Sequence, residues 1–209
     1  MSLMPIAIRR GETRRHADHR QRSGCLTGAV ALAWLAGSWC AAAVSAENGR
    51  LPPTEATDIG IFYDPNAPQL RNLWRDGDPG ERLLLRGRVL DTGGRPVPDA
   101  RVELWQADGN GEVHPNRYRT RLTSGAGGEF GVTTALPGYI PGAPGVWGAR
   151  HIHVVVTHPD YARLVSLILF DGDPNLVGLP YPGLAVFVEQ GRIDGQEVRF
   201  AEVMLVVRH

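Results

Sequence analysis

The sequence predicts an all-β fold: an antiparallel β-sandwich of two sheets and about eight strands, preceded by an irregular N-terminal arm. Three observations carry this. Apolar and polar residues alternate with period two, as in Ala100-Arg101-Val102-Glu103-Leu104-Trp105-Gln106-Ala107, the pattern of a strand with one face buried. The chain of 209 residues holds 26 glycines and 16 prolines, about a fifth of the total, and they punctuate runs rich in Val, Leu and Thr. No segment carries the spacing of a long amphipathic helix.

In chain order, the first 46 residues stand apart. They hold six arginines and two acids, whereas residues 47–209 hold 16 arginines and 20 acids. After Arg22 an apolar run, Leu26 to Val44, ends in Val44-Ser45-Ala46, whose small residues suit signal-peptidase cleavage before Glu47. The expectation is an export signal over 1–46, cut after Ala46, and a periplasmic or extracellular protein with no stable membrane span after processing. A membrane anchor is the rival reading, because the run approaches the ~20 residues a span requires. Its many Ala and Gly residues and the cleavage site weigh against that. Arg14-Arg15 is a twin arginine, but His16-Ala17-Asp18 follow where apolar residues belong.

Residues 47–81 are Pro- and Asp-rich with scattered aromatics (Phe62, Tyr63, Trp74) and no periodicity, and read as an arm lying over a core. The sandwich is expected over 82–209. Its first strand is Leu83–Leu90, followed by the turn Asp91-Thr92-Gly93-Gly94 and the strand Ala100–Ala107. Turn signals at Asp108-Gly109-Asn110-Gly111 and Ser124 to Gly128 bracket a strand at Arg117–Thr123. Further strands are expected at His151–Thr157, Leu164–Phe170, Leu184–Glu189 and Arg199–Val207, with a short helical turn at Pro159–Leu164.

Composition excludes several classes. Basic and acidic residues balance at 22 each, and every basic residue is Arg, so a nucleic-acid partner is not expected. Both cysteines, Cys25 and Cys40, fall in the leader. The body therefore has no disulfides, thiol nucleophiles or thiolate metal sites, and a chain of its size is stabilised by its packed core.

Chemistry enters at His151-Ile152-His153. Alternate strand residues share a face, so the two imidazoles converge about 7 Å apart along the chain. That geometry chelates metals: imidazole suits Fe, Zn, Cu and Ni, and the remaining ligands would be oxygen or nitrogen donors. The competing reading is a pair of half-exposed strand histidines. The pair opens a strand after the long Gly/Pro loop 138–148, where a rigid edge meets an open cleft. His114 and His158 are possible helpers, better read as surface residues.

Six segments, in order, resemble one family. They are Arg86-Gly87-Arg88-Val89-Leu90-Asp91, Gly94-Arg95-Pro96-Val97-Pro98, Val102-Glu103-Leu104-Trp105-Gln106-Ala107-Asp108, Pro137-Gly138-Tyr139, His151-Ile152-His153 and Phe170-Asp171-Gly172-Asp173-Pro174. On these the chain is similar to the intradiol ring-cleavage dioxygenases, in particular secreted relatives of the protocatechuate 3,4-dioxygenase subunits, over roughly Thr54 to Val207. The resemblance implies a β-sandwich holding one non-haem Fe(III) by two tyrosinates, two histidines and a solvent ligand. It implies a catechol-like aromatic and O2 as partners, and ring opening between the two hydroxyl-bearing carbons to a muconate. His151 and His153 match the family's histidine ligands. A ferric ion holds a phenolate deprotonated despite a free pKa of about 10, because the metal charge dominates its surroundings.

The departures cluster at the site. The first tyrosinate normally lies eight residues after the Trp of the Trp-Gln-Ala segment, where Val113 stands, and the second two residues after the Gly of Pro-Gly, where Ile140 stands. Tyr139, one place early, and Tyr118, past a shortened connection, are the candidate replacements, with packed aromatics as the alternative for both. The family's Arg three residues before the first His is Gly148 here; Arg150, directly before the pair, is the candidate to steer an anionic intermediate, and needs loop geometry to do so. The family's Gln on the next strand is Leu167. Trp105 and Trp147 read as core or cleft-wall aromatics. Three functions follow: a working ferric dioxygenase, a degenerate member that binds a metal, small ligand or carbohydrate without ring cleavage, and a purely structural exported sandwich.

Overall fold

The computed structural model describes residues 49–140, 142–143, 145–177 and 182–209. The expected leader and its cleavage point lie outside the described residues. Two sheets form the expected sandwich. The first has the strand order β4-β1-β9-β8 and the second β3-β2-β5-β6-β7. The strands are β1 (Arg82–Asp91), β2 (Arg101–Gln106), β3 (Arg119–Thr123), β4 (Glu129–Ala135), β5 (His151–His158), β6 (Tyr161–Phe170), β7 (Ala185–Val186), β8 (Val188–Ile193) and β9 (Gln196–Val207).

Several expectations are corrected. The described residues form nine strands, in line with the expected count, but the pairing is not purely antiparallel, because β1 runs parallel to β9 and β6 parallel to β7. β4 was not anticipated from the sequence. No helical turn forms at Pro159–Leu164; the chain turns at 159–160 and β6 begins at Tyr161. The single strand expected over Leu184–Glu189 is split into β7 and β8.

Alternation decides what each face does. Leu83, Leu85 and Val89 of β1, Val102 and Leu104 of β2, Ile152, Val154 and Val156 of β5 and Ala201, Val203 and Leu205 of β9 interleave in the core between the sheets. Gly87, inside β1, pairs with Phe130 of β4, and a Cβ at Gly87 would lie 2.1 Å from the Phe130 ring. The glycine, between Arg86 and Arg88, is the seat of that ring. At the end of β1, the buried Asp91 carboxylate accepts the Gly93 and Arg95 amides at 2.8 and 2.9 Å and closes the predicted turn. Gln106 joins the sheets: its side-chain amide donates to Ala135 O at 2.7 Å and accepts from the Thr134 hydroxyl at 3.3 Å.

The arm is irregular, as expected, and it covers strand edges. Thr57 N donates to Val165 O on β6, Arg121 N on β3 to Pro68 O, and Thr133 N on β4 to Arg71 O. Paired edges are closed to another chain. Among the described residues no helix is long and apolar enough to cross a membrane.

Candidate functional site

The side of β5 that faces away from the core presents His151 and His153. His153 lies opposite Trp105 of β2 and Leu167 of β6, and His151 opposite Leu169. Both imidazoles are buried, 4% and 6% exposed. Their ring centres are 4.8 Å apart and nearly perpendicular, at 81°. His151 Nδ1 lies 2.8 Å from the Ala149 carbonyl; because a carbonyl only accepts, the neutral ring carries its proton there and leaves the Nε2 lone pair bare. His153 Nδ1 is buried without a hydrogen-bond partner.

Burial also sets the charge of the pair. It lowers the His151 pKa, against the opposing influence of the Ala149 hydrogen bond and the Asp173 charge. His153 is pushed down to about 3, first by burial and then by His151 beside it. Both rings are neutral near pH 7, the form that ligates metals.

Indoles wall the pair. Trp105 stacks on His153 at 4.6 Å and 2°, and Trp147 lies at 5.9 Å and 24° to the same ring while meeting His151 edge-on at 6.0 Å. The arm closes the remaining side. Trp105 Nε1 donates to Ile61 O at 3.1 Å, Arg119 to Phe62 O at 3.0 Å, and the Tyr63 hydroxyl to the Glu103 carboxylate at 3.2 Å. Nothing in the aperiodic sequence of 58–63 signals this contact, because the arm reaches the pair only through tertiary structure.

The other predicted residues fall into separate groups. Arg150 precedes β5 in loop conformation, its amide donating to Asp173 Oδ2 at 2.8 Å. Its guanidinium lies 4.6 Å above the half-exposed Tyr139 ring. The two line a cleft of about 190 Å³ with Glu81, Asp171, Asp173 and Arg199. Tyr118 is fully buried in the left-handed region (φ 53°), just before β3. Its ring is 5.7 Å from His114 and its hydroxyl is buried beside the Asp78 carboxylate. Burial, then the neighbouring Asp78 carboxylate, push its pKa up to about 12. The structure thus brings His151 together with His153, and Tyr139 together with Arg150. Among the described residues, neither phenol makes a ring contact or hydrogen bond with either histidine.

Sequence reasoning passed over Asp108. Its Oδ1 accepts the Asn110 and Glu112 amides, and its Oδ2 lies 2.7 Å from His114 Nε2. Burial raises its pKa, but these hydrogen bonds outweigh it and hold the carboxyl below the usual range. Asp108, Glu112 and His114 place donor atoms within 4.8 Å of one another, a set that could hold a metal ion, so the partly buried His114 keeps its place as a possible donor. The Asp-Gly-Asn-Gly turn is the signal that marks Asp108.

Residues 62–186 match the family model described as a dioxygenase. The chain is 38% identical over 123 residues to the protocatechuate 3,4-dioxygenase beta chain of Burkholderia cepacia, covering 51% of this chain and 52% of that protein. It is 36% identical over 144 residues to hydroxyquinol 1,2-dioxygenase of Nocardioides simplex, covering 59% and 49%. The chain spans about half the length of these curated relatives. Among solved structures, the dioxygenase domain of a dioxygenase and carbohydrate-binding protein fusion from Streptomyces sp. SirexAA-E superposes with a TM-score of 0.64 at 26% identity, covering 74% of this chain and 97% of that one.

Proposed function

The chain belongs to the intradiol ring-cleavage dioxygenase family, and from that membership we propose that it acts with O2 on a catechol-type aromatic at a non-haem iron held by His151 and His153. In its full form the reading is ferric iron and ring opening between the two hydroxyl-bearing carbons to a muconate-type product. The observation that carries it is the pair itself: two buried, neutral imidazoles, 4.8 Å between centres, one with its tautomer fixed by a backbone carbonyl. Such a carbonyl partner is what orients metal-binding histidines.

The nitrogen half of the expected donor set fits these residues. The phenolate half is not assembled around them, since Val113 and Ile140 hold the usual tyrosine positions. This reading assigns Tyr139 and Tyr118 as the remaining metal ligands and Arg150 as the cation that steers an anionic intermediate. To reach the pair, Tyr139 would leave the Arg150 guanidinium and Tyr118 the flank of Asp78. The roles already in place belong to the walls: Trp105 and Trp147 hold the His153 ring and exclude water from it, and Ala149 holds the His151 proton. We further read the protein as exported, on the strength of the basic and then apolar leader; N-terminal sequencing of the mature protein tests the cut after Ala46.

The separation of both phenols from the histidines favours a second reading, a degenerate member that binds a metal, small ligand or carbohydrate without ring cleavage. One experiment separates the two. On the first reading, the iron-loaded protein is red-brown from tyrosinate-to-iron charge transfer and consumes O2 with catechol, and His151→Ala or His153→Ala abolishes both. A colourless iron-bound protein that takes up no O2 overturns the dioxygenase reading and leaves the second. Metal binding that is absent, or unchanged by both alanine substitutions, removes the pair as a site.

A further inference from the structure

We infer that the arm is a working wall of the histidine site, and that Gly60 is the positioning residue that fixes the His153 ring. The part that concerns metal binding rests on the proposed function; the part that concerns ring position does not. Gly60 adopts φ 69° and lies directly against the imidazole: a Cβ there would sit 2.6 Å from His153 Cε1, 3.4 Å from its Nδ1 and 3.3 Å from Trp147 Cζ3. Real Cβ contacts are not that short, so a substitution has to move something. The His153 ring cannot yield by tilting, because it is held between Trp105 at 4.6 Å and Trp147 at 5.9 Å, with His151 at 4.8 Å.

The backbone of the arm cannot readily retreat either. The carbonyls of Ile61 and Phe62 are tied down by the Trp105 indole and the Arg119 guanidinium, and the next residue, Tyr63, reaches Glu103. Phe62 itself is in the left-handed region at φ 64°, which a bulky residue rarely adopts. Meanwhile the Ile61 and Phe62 side chains are 69% and 52% exposed. The segment is held by its main chain, with its apolar side chains facing outward, so its contribution at this point is backbone proximity to His153. Only glycine supplies both the positive φ and the missing Cβ.

The test uses the full chain with Co(II) as probe and compares Gly60→Ala with Gly77→Ala. Gly77 has φ 86° and open space around it, so its alanine variant carries the backbone strain without the clash. Two readouts are taken: Co(II) affinity, and the position of the His153 Hε1 resonance in metal-free protein, which the two flanking indoles shift by ring current. For Gly60→Ala the resonance moves and Co(II) binding weakens about 10–100-fold, the range seen when a ligand's supporting contacts are lost; for Gly77→Ala neither changes. Adding Trp147→Phe to Gly60→Ala gives the ring room and recovers part of the affinity. Should Gly60→Ala not fold, the Gly60→Ala/Trp147→Phe variant, in which the smaller ring leaves room beside the Cβ, is read in its place against Trp147→Phe alone. A Gly60 variant that matches Gly77→Ala in both readouts overturns the inference. Wild-type protein that binds no Co(II), with a Hε1 resonance that still moves in Gly60→Ala, sinks the metal reading and keeps the positioning role.

Discussion

Trp105 and His153 stand opposite each other in register on β2 and β5, with rings parallel to within 2° and centres 4.6 Å apart. The pairing of the strands sets the stack, because directly opposed residues project to the same face. Trp105 is also fastened from the arm side through its Nε1 bond to Ile61 O. Its removal therefore takes away a wall and a tether together. Trp105→Ala is expected to cost about 3–5 kcal/mol, as for other buried aromatic truncations, and Trp105→Phe distinctly less, since a ring remains and only the hydrogen bond, worth about 1 kcal/mol, goes with the lost volume. Urea unfolding of both variants checks this, and a loss below about 1 kcal/mol for the alanine variant would mean that the stack does not hold the face together.

A pH prediction follows from the two neutral imidazoles. Their folded pKa values lie below the unfolded value of 6.5, His153 at about 3. Above pH 6.5 both states are neutral and the histidines contribute nothing to the balance. Below it the unfolded chain binds protons that the folded chain refuses, so stability falls with falling pH, by up to about 1.4 kcal/mol per unit for each histidine. Asp78, Asp91 and Asp108 have lowered pKa values. They stabilise the fold above their unfolded value of 3.8 and lose that contribution only as pH falls below it. The interval from about pH 6.5 to 4 thus isolates the pair. Unfolding free energies at pH 7, 6 and 5 are expected to slope downward in wild type and less steeply in His153→Leu, where His151 alone remains; parallel slopes would contradict the neutral buried ring.

The elements legible in the sequence were those with local causes. Period-two alternation marks β2 and β3, apolar runs bounded by Gly, Pro or Asp mark β1 and β5, and the Asp91 and Asp108 turns announce themselves by composition. β4 was missed because Glu129-Phe130-Gly131-Val132-Thr133-Thr134-Ala135 carries only two large apolar residues, and what makes it a strand is the Phe130 ring seated over Gly87 of β1. The parallel pairing of β1 with β9 joins residues more than a hundred apart, and no local pattern encodes it. At the site, the shared face of His151 and His153 follows from strand geometry alone. The indole walls and the Gly60 contact depend on a register and an arm path that only the fold decides.

Asp173 anchors the chain where it enters β5. Buried, it accepts the Arg150 amide at 2.8 Å and the Asn175 amide at 2.9 Å. Asp173→Ala leaves both amides without partners and is expected to cost about 1–3 kcal/mol. It also removes a negative charge that raises the His151 pKa, so the His151 titration, followed by NMR, is expected to move further down. A His151 pKa that is unchanged or higher in this variant would show that the carboxylate does not act on the ring.

The two phenols allow a prediction in which the metal-free and iron-loaded proteins answer different questions. The buried Tyr118 hydroxyl lies beside the Asp78 carboxylate, which is already engaged by Arg117 at 2.6 and 2.8 Å and by the Arg75 amide at 2.9 Å. Tyr118→Phe in metal-free protein gives up only the contact of its hydroxyl with a carboxylate that is already engaged, and is expected to change stability by no more than about 1 kcal/mol. Tyr139 differs: it is half exposed and holds the Arg150 guanidinium over its ring, a contact that Tyr139→Phe keeps and Tyr139→Ala loses, at about 0.5–1 kcal/mol. In iron-loaded protein the expectation reverses for whichever phenol moves onto the metal, because its phenylalanine variant loses charge-transfer absorption while the other keeps it. A colour that survives both Tyr118→Phe and Tyr139→Phe would exclude each of them as a ligand, even if the histidines still hold the iron.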